Sequence, residues 1–184
     1  MEPHLLYPLS EFYQQLGRPL PEARTLQPEE MPETHRRLLV HERDMTPTLE
    51  AAHGQSLHVQ ALKRSHRDDS YSRLVLLKLD DGSTAAMGAI SINLAVLPEN
   101  TRQLVLEDER PFGSILATCH IAHYCCPAAY FEIKADAPIV EALGVDVECP
   151  LYGRRNVIRG SSGAELAHVL EILPKTAPPR DPFA

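Results

Sequence analysis

The chain has 184 residues and a formal net charge of −7. A single domain of this length buries roughly 70% of its unfolded surface, so one hydrophobic core is enough and no stabilising disulfide or metal is required. The acidic charge excludes a strongly basic nucleic-acid-binding domain. The largest basic cluster, Lys63, Arg64 and Arg67, runs directly into Asp68 and Asp69 instead of forming a stripe.

The chain carries no signal for a membrane or for export. No apolar run approaches the roughly 18–20 residues that cross a bilayer, and the opening Met-Glu-Pro-His lacks the basic segment of a signal peptide. We therefore expect a cytoplasmic protein without a membrane partner. In that setting the four cysteines are expected to be reduced thiols.

The first forty residues contain an arm and a helix. Five prolines predict that residues 1–30 form a proline-rich arm laid over the domain, with only a short amphipathic stretch at 10–16. Early acidic residues and late Arg36-Arg37 predict a helix over 28–40, because this order of charges matches the helix dipole.

The centre of the chain predicts a short helix followed by a meander of strands. Thr46-Pro47 is a favourable helix start and Gly54 a favourable end, which gives a helix over 46–53. Strand-like runs follow at 56–67, 71–79 and 84–97. Asp80-Asp81-Gly82 joins the last two of these strands and is a strong hairpin signal.

The second half of the chain adds helices and three more strands. In order, the pattern predicts a short helix beginning at Pro111-Phe112-Gly113, a strand at 121–133, a helix at 138–143 closed by Gly144, and a hairpin of strands at 151–158 and 164–173 around the turn 160–163. The fold class is therefore α+β, with one domain over 31–174. The proline-rich tail 175–184 is expected to be disordered.

Two charged residues interrupt apolar strand faces. Arg73 shares its face with Val75 and Leu77, and Glu171 has apolar neighbours on both sides. An isolated buried charge costs several kcal/mol, so it is normally paired or used for a ligand. Two interpretations stay open. Either Arg73 and Glu171 pair with each other or lie at strand ends, or Arg73 binds a carboxylate while Glu171 meets a hydroxyl or ether.

The segment from Cys119 to Cys126 is rich in cysteine and histidine. On a strand Cys119, His123 and Cys125 could converge on a metal, with a further ligand from elsewhere in the chain, for instance Cys149. Metal or haem binding through this segment is therefore one hypothesis. The alternative is that the cysteines are small buried residues packed in the core.

Several motifs occur in the same order as in one known family. They are Arg43-Asp44-Met45-Thr46, Ser72-Arg73-Leu74-Val75-Leu76 with Asp81-Gly82, Pro111-Phe112-Gly113, Leu151-Tyr152-Gly153-Arg154-Arg155 and Leu170-Glu171-Ile172-Leu173-Pro174. On these residues the chain resembles the chorismate lyase family over about 38–174. The same fold also serves as the UTRA effector-binding domain of bacterial transcription regulators.

The resemblance implies a fold and a site. The family has an antiparallel sheet of about six strands, helices on one side, and two helical flaps over an internal pocket. Known members release pyruvate from chorismate to leave 4-hydroxybenzoate, a step toward ubiquinone. By resemblance Arg73 binds the ring carboxylate and Glu171 contacts the ring oxygen and transfers a proton. Met45 and Phe112 donate backbone N–H groups from the flaps.

Further expectations follow from the same resemblance. The reaction needs no metal or other cofactor, and the protein is expected to be a monomer or homodimer whose partner is a small aromatic or cyclohexadienyl carboxylate. Of Arg154 and Arg155, at most one faces the ligand, and the pair is expected mainly to support the hairpin and the pocket wall.

The chain departs from the family at Ala89, where a known member has an arginine for the second carboxylate. His58, His120 or His123 could substitute for this cation. Otherwise the ligand has a single carboxylate, or the protein is a non-catalytic binder or sensor of a small aromatic acid.

Overall fold

The computed structural model describes residues 4–175, which form one antiparallel sheet with helices on both faces. The seven strands are β1 Ala23–Leu26, β2 Leu57–Arg67, β3 Ser70–Leu79, β4 Thr84–Asn93, β5 His123–Lys134, β6 Pro150–Gly160 and β7 Glu165–Leu173. Their order across the sheet is β1-β5-β6-β7-β4-β3-β2. The meander β2-β3-β4 and the hairpin β6-β7 therefore lie side by side through β4 and β7.

The helices fall between the strands as short segments. They are α1 Leu9–Gln15, α2 Glu33–Leu39, α3 Met45–His53, α4 Glu99–Leu106, α5 Phe112–Thr118 and α6 Ala137–Leu143. Asp136 caps α6 by accepting a hydrogen bond from the backbone N–H of Ile139. No helix among residues 4–175 is long and apolar enough to span a membrane.

One face of the sheet is covered by α1 and α6. Leu9 and Phe12 of α1 and Ile139 of α6 are fully buried against alternate sheet residues such as Leu74 and Leu170. This cluster forms the main apolar core. The helices α1 and α6 thus cover one side of the sheet, where the family resemblance places helices.

The opposite face carries two further clusters with a gap between them. The helices α2 and α3 pack on the β2 and β3 side of this face, near Val75 and Leu77. The helices α4 and α5 pack nearer to Ile90 and Val169. The starts of α3 and α5 approach each other over the gap, in the arrangement predicted for the two flaps.

The structure corrects the N-terminal prediction in detail. Residues 4–30 contain α1 and β1, and β1 pairs with β5 as an edge strand. The predicted helix over 28–40 is divided into a 3-10 turn at Pro28–Glu30 and α2, because Pro32 interrupts the pattern. The polar run after Pro98 forms α4. Most of the predicted disordered tail, from 176 onward, lies outside the described residues.

Candidate functional site

The gap between the sheet and the starts of α3 and α5 is a partly open cavity. Its volume is about 80 Å³ when counted as the space open to the centre of a water molecule. Since one water needs about 10–15 Å³ of such space, the cavity has room for roughly five to eight waters, or for a ligand with a single ring. Most of the wall is apolar, and the charged residues that line it are Asp44, Arg73, Arg154 and Glu171.

Two parallel rows of the sheet make the floor of the cavity. Cross-strand pairing aligns Val75, Gly88, Glu171 and Arg154 in one row. The neighbouring row contains Arg73, Ile90, Val169 and Asn156. Neighbouring strands lie about 4.8 Å apart, so the β3 and β7 backbones that carry Arg73 and Glu171 are about 10 Å apart. Gly88 lies between them and leaves the floor open.

Arg73 is buried at one end of the cavity, with 2% of its surface exposed. Its Nη1 donates to Asp108 Oδ1 at 3.1 Å, and its Nη2 donates to the backbone carbonyl of Arg110 at 2.7 Å. The Nε–H is buried and has no acceptor among the described residues. The protein therefore leaves one donor of the guanidinium unused.

Glu171 lies at the other end and is paired with Arg154. The Arg154 Nε donates to Glu171 Oε2 at 2.6 Å, and both side chains are buried. The interpretation in which Arg73 and Glu171 pair with each other is therefore wrong. Glu171 pairs with Arg154 because the two residues lie directly opposite each other on β7 and β6. Arg73 pairs with Asp108.

Arg154 also fixes the segment that leads into α3. Its Nη1 donates to the carbonyl of His41 at 2.9 Å, and its Nη2 donates to the carbonyl of Arg43 at 3.2 Å. The His41 Nδ1 accepts from Arg154 and from the Arg43 backbone, while its Nε2 donates to the Leu38 carbonyl. Burial, aided by the charge of Arg154, lowers the pKa of His41 to about 4, so this ring is neutral.

Met45 and Phe112 begin α3 and α5, and both line the cavity. Neither helix start receives a side-chain cap, so the backbone donors of the first turns are not used by Asp44 or Pro111. Both flap residues are thus next to the ligand space that was predicted for them. Their role as donors to a ligand stays a prediction.

Asp44 connects the first flap to β5 and does not cap its own helix. Its carboxylate accepts from His123 Nε2 at 3.0 Å and from the Cys125 thiol at 3.2 Å. Burial alone would lower the pKa of His123, but hydrogen bonds to the Ile121 carbonyl and to Asp44 raise it above its usual value. Burial raises the pKa of Cys125 to about 12, so this thiol stays protonated.

The metal hypothesis gains no support from this geometry. His123 and Cys125 meet at Asp44, whereas Cys119 ends α5. Within residues 4–175, no group of three histidine, cysteine or acidic side chains is arranged to hold a metal ion. The cysteines in the described part of the chain are free thiols, and Cys125 is buried at the cavity wall.

Ala89 does not line the cavity. Ala89 belongs to the cluster under α1, on the face of the sheet opposite the cavity. Of the suggested substitutes, His58 pairs with Asp80 at the surface and His120 is exposed. The second buried cation at the cavity is Arg154. Because Arg154 and Asn156 are two residues apart on β6, strand alternation places both on the cavity face.

No protein-family model matches the chain, and no curated protein matches it in sequence. Solved structures match its fold. The effector domain of PhnF from Mycobacterium smegmatis aligns over 72% of this chain and 88% of its own, with 13% identity and a TM-score of 0.56. A structure of PhnF from the same organism aligns over 91% of this chain and 94% of its own, with 13% identity and a TM-score of 0.55.

A third structure agrees with these two. It is the ligand-binding domain of a Bordetella bronchiseptica protein assigned to the GntR family of transcriptional regulators, and 66% of this chain aligns over 87% of that domain, with 10% identity and a TM-score of 0.50. At such low identities the likeness shows the fold alone. The predicted chorismate lyase-like α+β fold is confirmed, with seven strands instead of six.

Proposed function

We propose that this chain binds a small carboxylic acid of single-ring size in this cavity, as a binding or sensing protein. The observation that carries the proposal is Arg73, a buried cation that lines the cavity and whose Nε–H has no acceptor among the described residues. A buried donor without a partner costs about 1–3 kcal/mol, and a carboxylate oxygen would remove that cost with a charge-assisted hydrogen bond.

The opposite end of the cavity is suited to a hydroxyl group. Glu171 lines it with a carboxylate, and the buried Asn156 Oδ1 has no donor among the described residues. Both groups accept hydrogen bonds, so a ligand hydroxyl would satisfy one of them. The apolar side chains of Val75, Ile90 and Val169 belong to the floor of the cavity and would contact one face of a ring or short carbon skeleton.

The flaps would complete the enclosure. In this proposal the backbone N–H groups of Met45 and Phe112 face the ligand, and their side chains exclude water. The names of the structural neighbours, an effector domain and a ligand-binding domain, agree with a binding role.

Elimination of pyruvate from chorismate is the second candidate function. It is favoured by Arg73 and Glu171 lining one cavity, since the family resemblance assigns them the carboxylate and proton-transfer roles. It ranks second because chorismate has two carboxylates. The second buried cation, Arg154, already donates to Glu171 and to the carbonyls of His41 and Arg43.

Titration calorimetry with 4-hydroxybenzoate and related benzoates tests binding. Arg73→Ala is expected to weaken binding at least a hundredfold, on the order of 3 kcal/mol, because the ring carboxylate loses its charged donor. Arg73→Lys should recover part of the affinity, since it keeps the charge but not the planar fork. Arg24→Ala is the matched control, because Arg24 lies on β1 in an exposed pair with Glu132. Equal affinities in wild type and Arg73→Ala would reject this site.

Incubation with chorismate separates the two candidates. A lyase would form 4-hydroxybenzoate and pyruvate in equal amounts, and Glu171→Gln would abolish both. If chorismate stays intact while the protein binds benzoates through Arg73, the lyase function is rejected and only the binding function remains.

A further inference from the structure

Arg73 lines the cavity and is paired with a buried carboxylate, Asp108, that does not line it. Asp108, in the segment between α4 and α5, accepts from Arg73 Nη1 at 3.1 Å, and its side chain is 4% exposed. Asp108 does not line the cavity itself. It lines a groove on the outer side of the same pair, next to Arg64 and Tyr71.

Asp108 is shared between a buried and an exposed cation. Its second carboxylate oxygen contacts Arg64 Nε, and the Arg64 side chain is 60% exposed on β2. Burial and the neighbouring Asp108 carboxylate raise the pKa of the Tyr71 hydroxyl. Because water screens the charge of Arg64, the negative charge of Asp108 is directed mainly toward Arg73.

The buried charges around the cavity are therefore balanced before a ligand enters. Arg73 is paired with Asp108, and Arg154 is paired with Glu171. A ligand carboxylate on the Nε edge of Arg73 adds one negative charge within a few ångströms of Asp108. A second ligand charge at the far end would face Glu171, whose arginine is already engaged.

We infer that Asp108 is a specificity-determining residue that restricts this pocket to acids with a single negative charge, namely monocarboxylates whose far end is a neutral hydrogen-bonding group. The inference rests on the proposed function, because it concerns the ligand of the same cavity. It excludes dicarboxylates of the same size as preferred ligands.

Two substitutions, one at Asp108 and one at its exposed partner Arg64, change the local charge without filling the cavity. Asp108→Asn removes the anion, and asparagine tolerates the left-handed backbone of this position, where φ is 61°. Arg64→Gln removes the exposed partner and leaves Asp108 with Arg73 alone. The two variants are expected to shift affinity in opposite directions, which a purely structural role of Asp108 would not produce.

The test is calorimetry of the full chain with 4-hydroxybenzoate and with terephthalate, which replaces the hydroxyl by a second carboxylate. Wild type should bind 4-hydroxybenzoate at least about tenfold more tightly than terephthalate. Asp108→Asn should tighten binding of both acids, more so for terephthalate, because two ligand charges lose their repulsion. Arg64→Gln should weaken both by a few-fold.

Equal affinities of wild type for the two acids, or unchanged affinities in both variants, would overturn this inference and leave the proposed function standing. Absence of binding by either acid, together with an absence of binding by other benzoates, would overturn the proposed function and this inference with it. Circular dichroism establishes that each variant is folded. If Asp108→Asn does not fold, the sign of the Arg64→Gln effect decides.

Discussion

The buried pair of Arg154 and Glu171 does more than contribute to the stability of the fold. Desolvating two ions offsets much of their attraction, so such a pair contributes little compared with apolar residues of similar size. Breaking it is costly, because one ion stays buried without a partner. The pair also holds the cavity-lining carboxylate of Glu171 in place and connects it to the segment before α3.

Arg154→Met is expected to lower the free energy of unfolding by about 3–5 kcal/mol, because Glu171 stays buried and unpaired. Adding Glu171→Leu should restore part of the loss. Urea denaturation measures both. Arg159→Met is the matched control on the same strand, where the pair with Glu165 is exposed and worth at most about 1 kcal/mol. Similar losses in Arg154→Met and Arg159→Met would contradict this account.

Close packing explains why a glycine, Gly153, precedes the two arginines of β6. A Cβ at this position would lie 2.4 Å from the backbone oxygen of Glu171 and 2.4 Å from the ring of Phe131. Glycine therefore lets the β6 and β7 backbones and the Phe131 ring pack closely beside the pair of Arg154 and Glu171. The motif is required by packing as well as by charge.

At the scale of elements, the N-terminal segment forms part of the folded core. α1 closes the face of the sheet opposite the cavity, and Leu9 and Phe12 have no exposed surface. β1 adds an edge strand through pairing with β5, more than a hundred residues later in the chain. The segment is thus part of the core, although its prolines predicted an arm.

Phe12→Ala is expected to cost about 3–5 kcal/mol of unfolding free energy, the value for truncating a fully buried phenylalanine. Leu16→Ala, at an exposed position just after the same helix, should cost less than about 0.5 kcal/mol. Thermal and urea unfolding of the two variants provide the comparison. If both variants are equally mild, α1 contributes little to the core, and this account is contradicted.

At the scale of the whole molecule, the histidines make stability depend on pH. Burial is the first cause that lowers the pKa of His35, His41 and His53. An unfolded histidine titrates near pH 6.5, so between that pH and the lower folded pKa the unfolded chain binds protons that the folded chain does not. Stability from these residues is therefore lost as the pH falls. His123, with its raised pKa, acts in the opposite direction.

We expect the His41 contribution to disappear between pH 6.5 and about 4, with a loss on the order of 2 kcal/mol. His41→Asn keeps an acceptor for Arg154 but does not titrate, so its unfolding free energy should fall less steeply with decreasing pH than that of wild type. Urea denaturation at pH 7, 6, 5 and 4.5 measures the difference. Parallel pH profiles would show that His41 is not the group responsible.

Local patterns predicted much of this molecule. Alternation placed Arg73 and Glu171 on apolar faces, and both are buried at one cavity. Thr46-Pro47 and Pro111-Phe112 marked the two flap helices within a residue or two of their starts. These features depend on neighbours close in sequence, and their physical signals are therefore local.

The sequence by itself determined the strands β2 to β7, the starts of the two flap helices and the two charges on buried faces, because each follows from spacing and local backbone preference. It did not predict β1. Only the tertiary structure decided the partners of those charges. Asp108 approaches Arg73 from 35 residues away, and Arg154 binds carbonyls more than a hundred residues distant. Such pairings depend on which strands and loops become neighbours, and that order arises from the packing of the whole sheet.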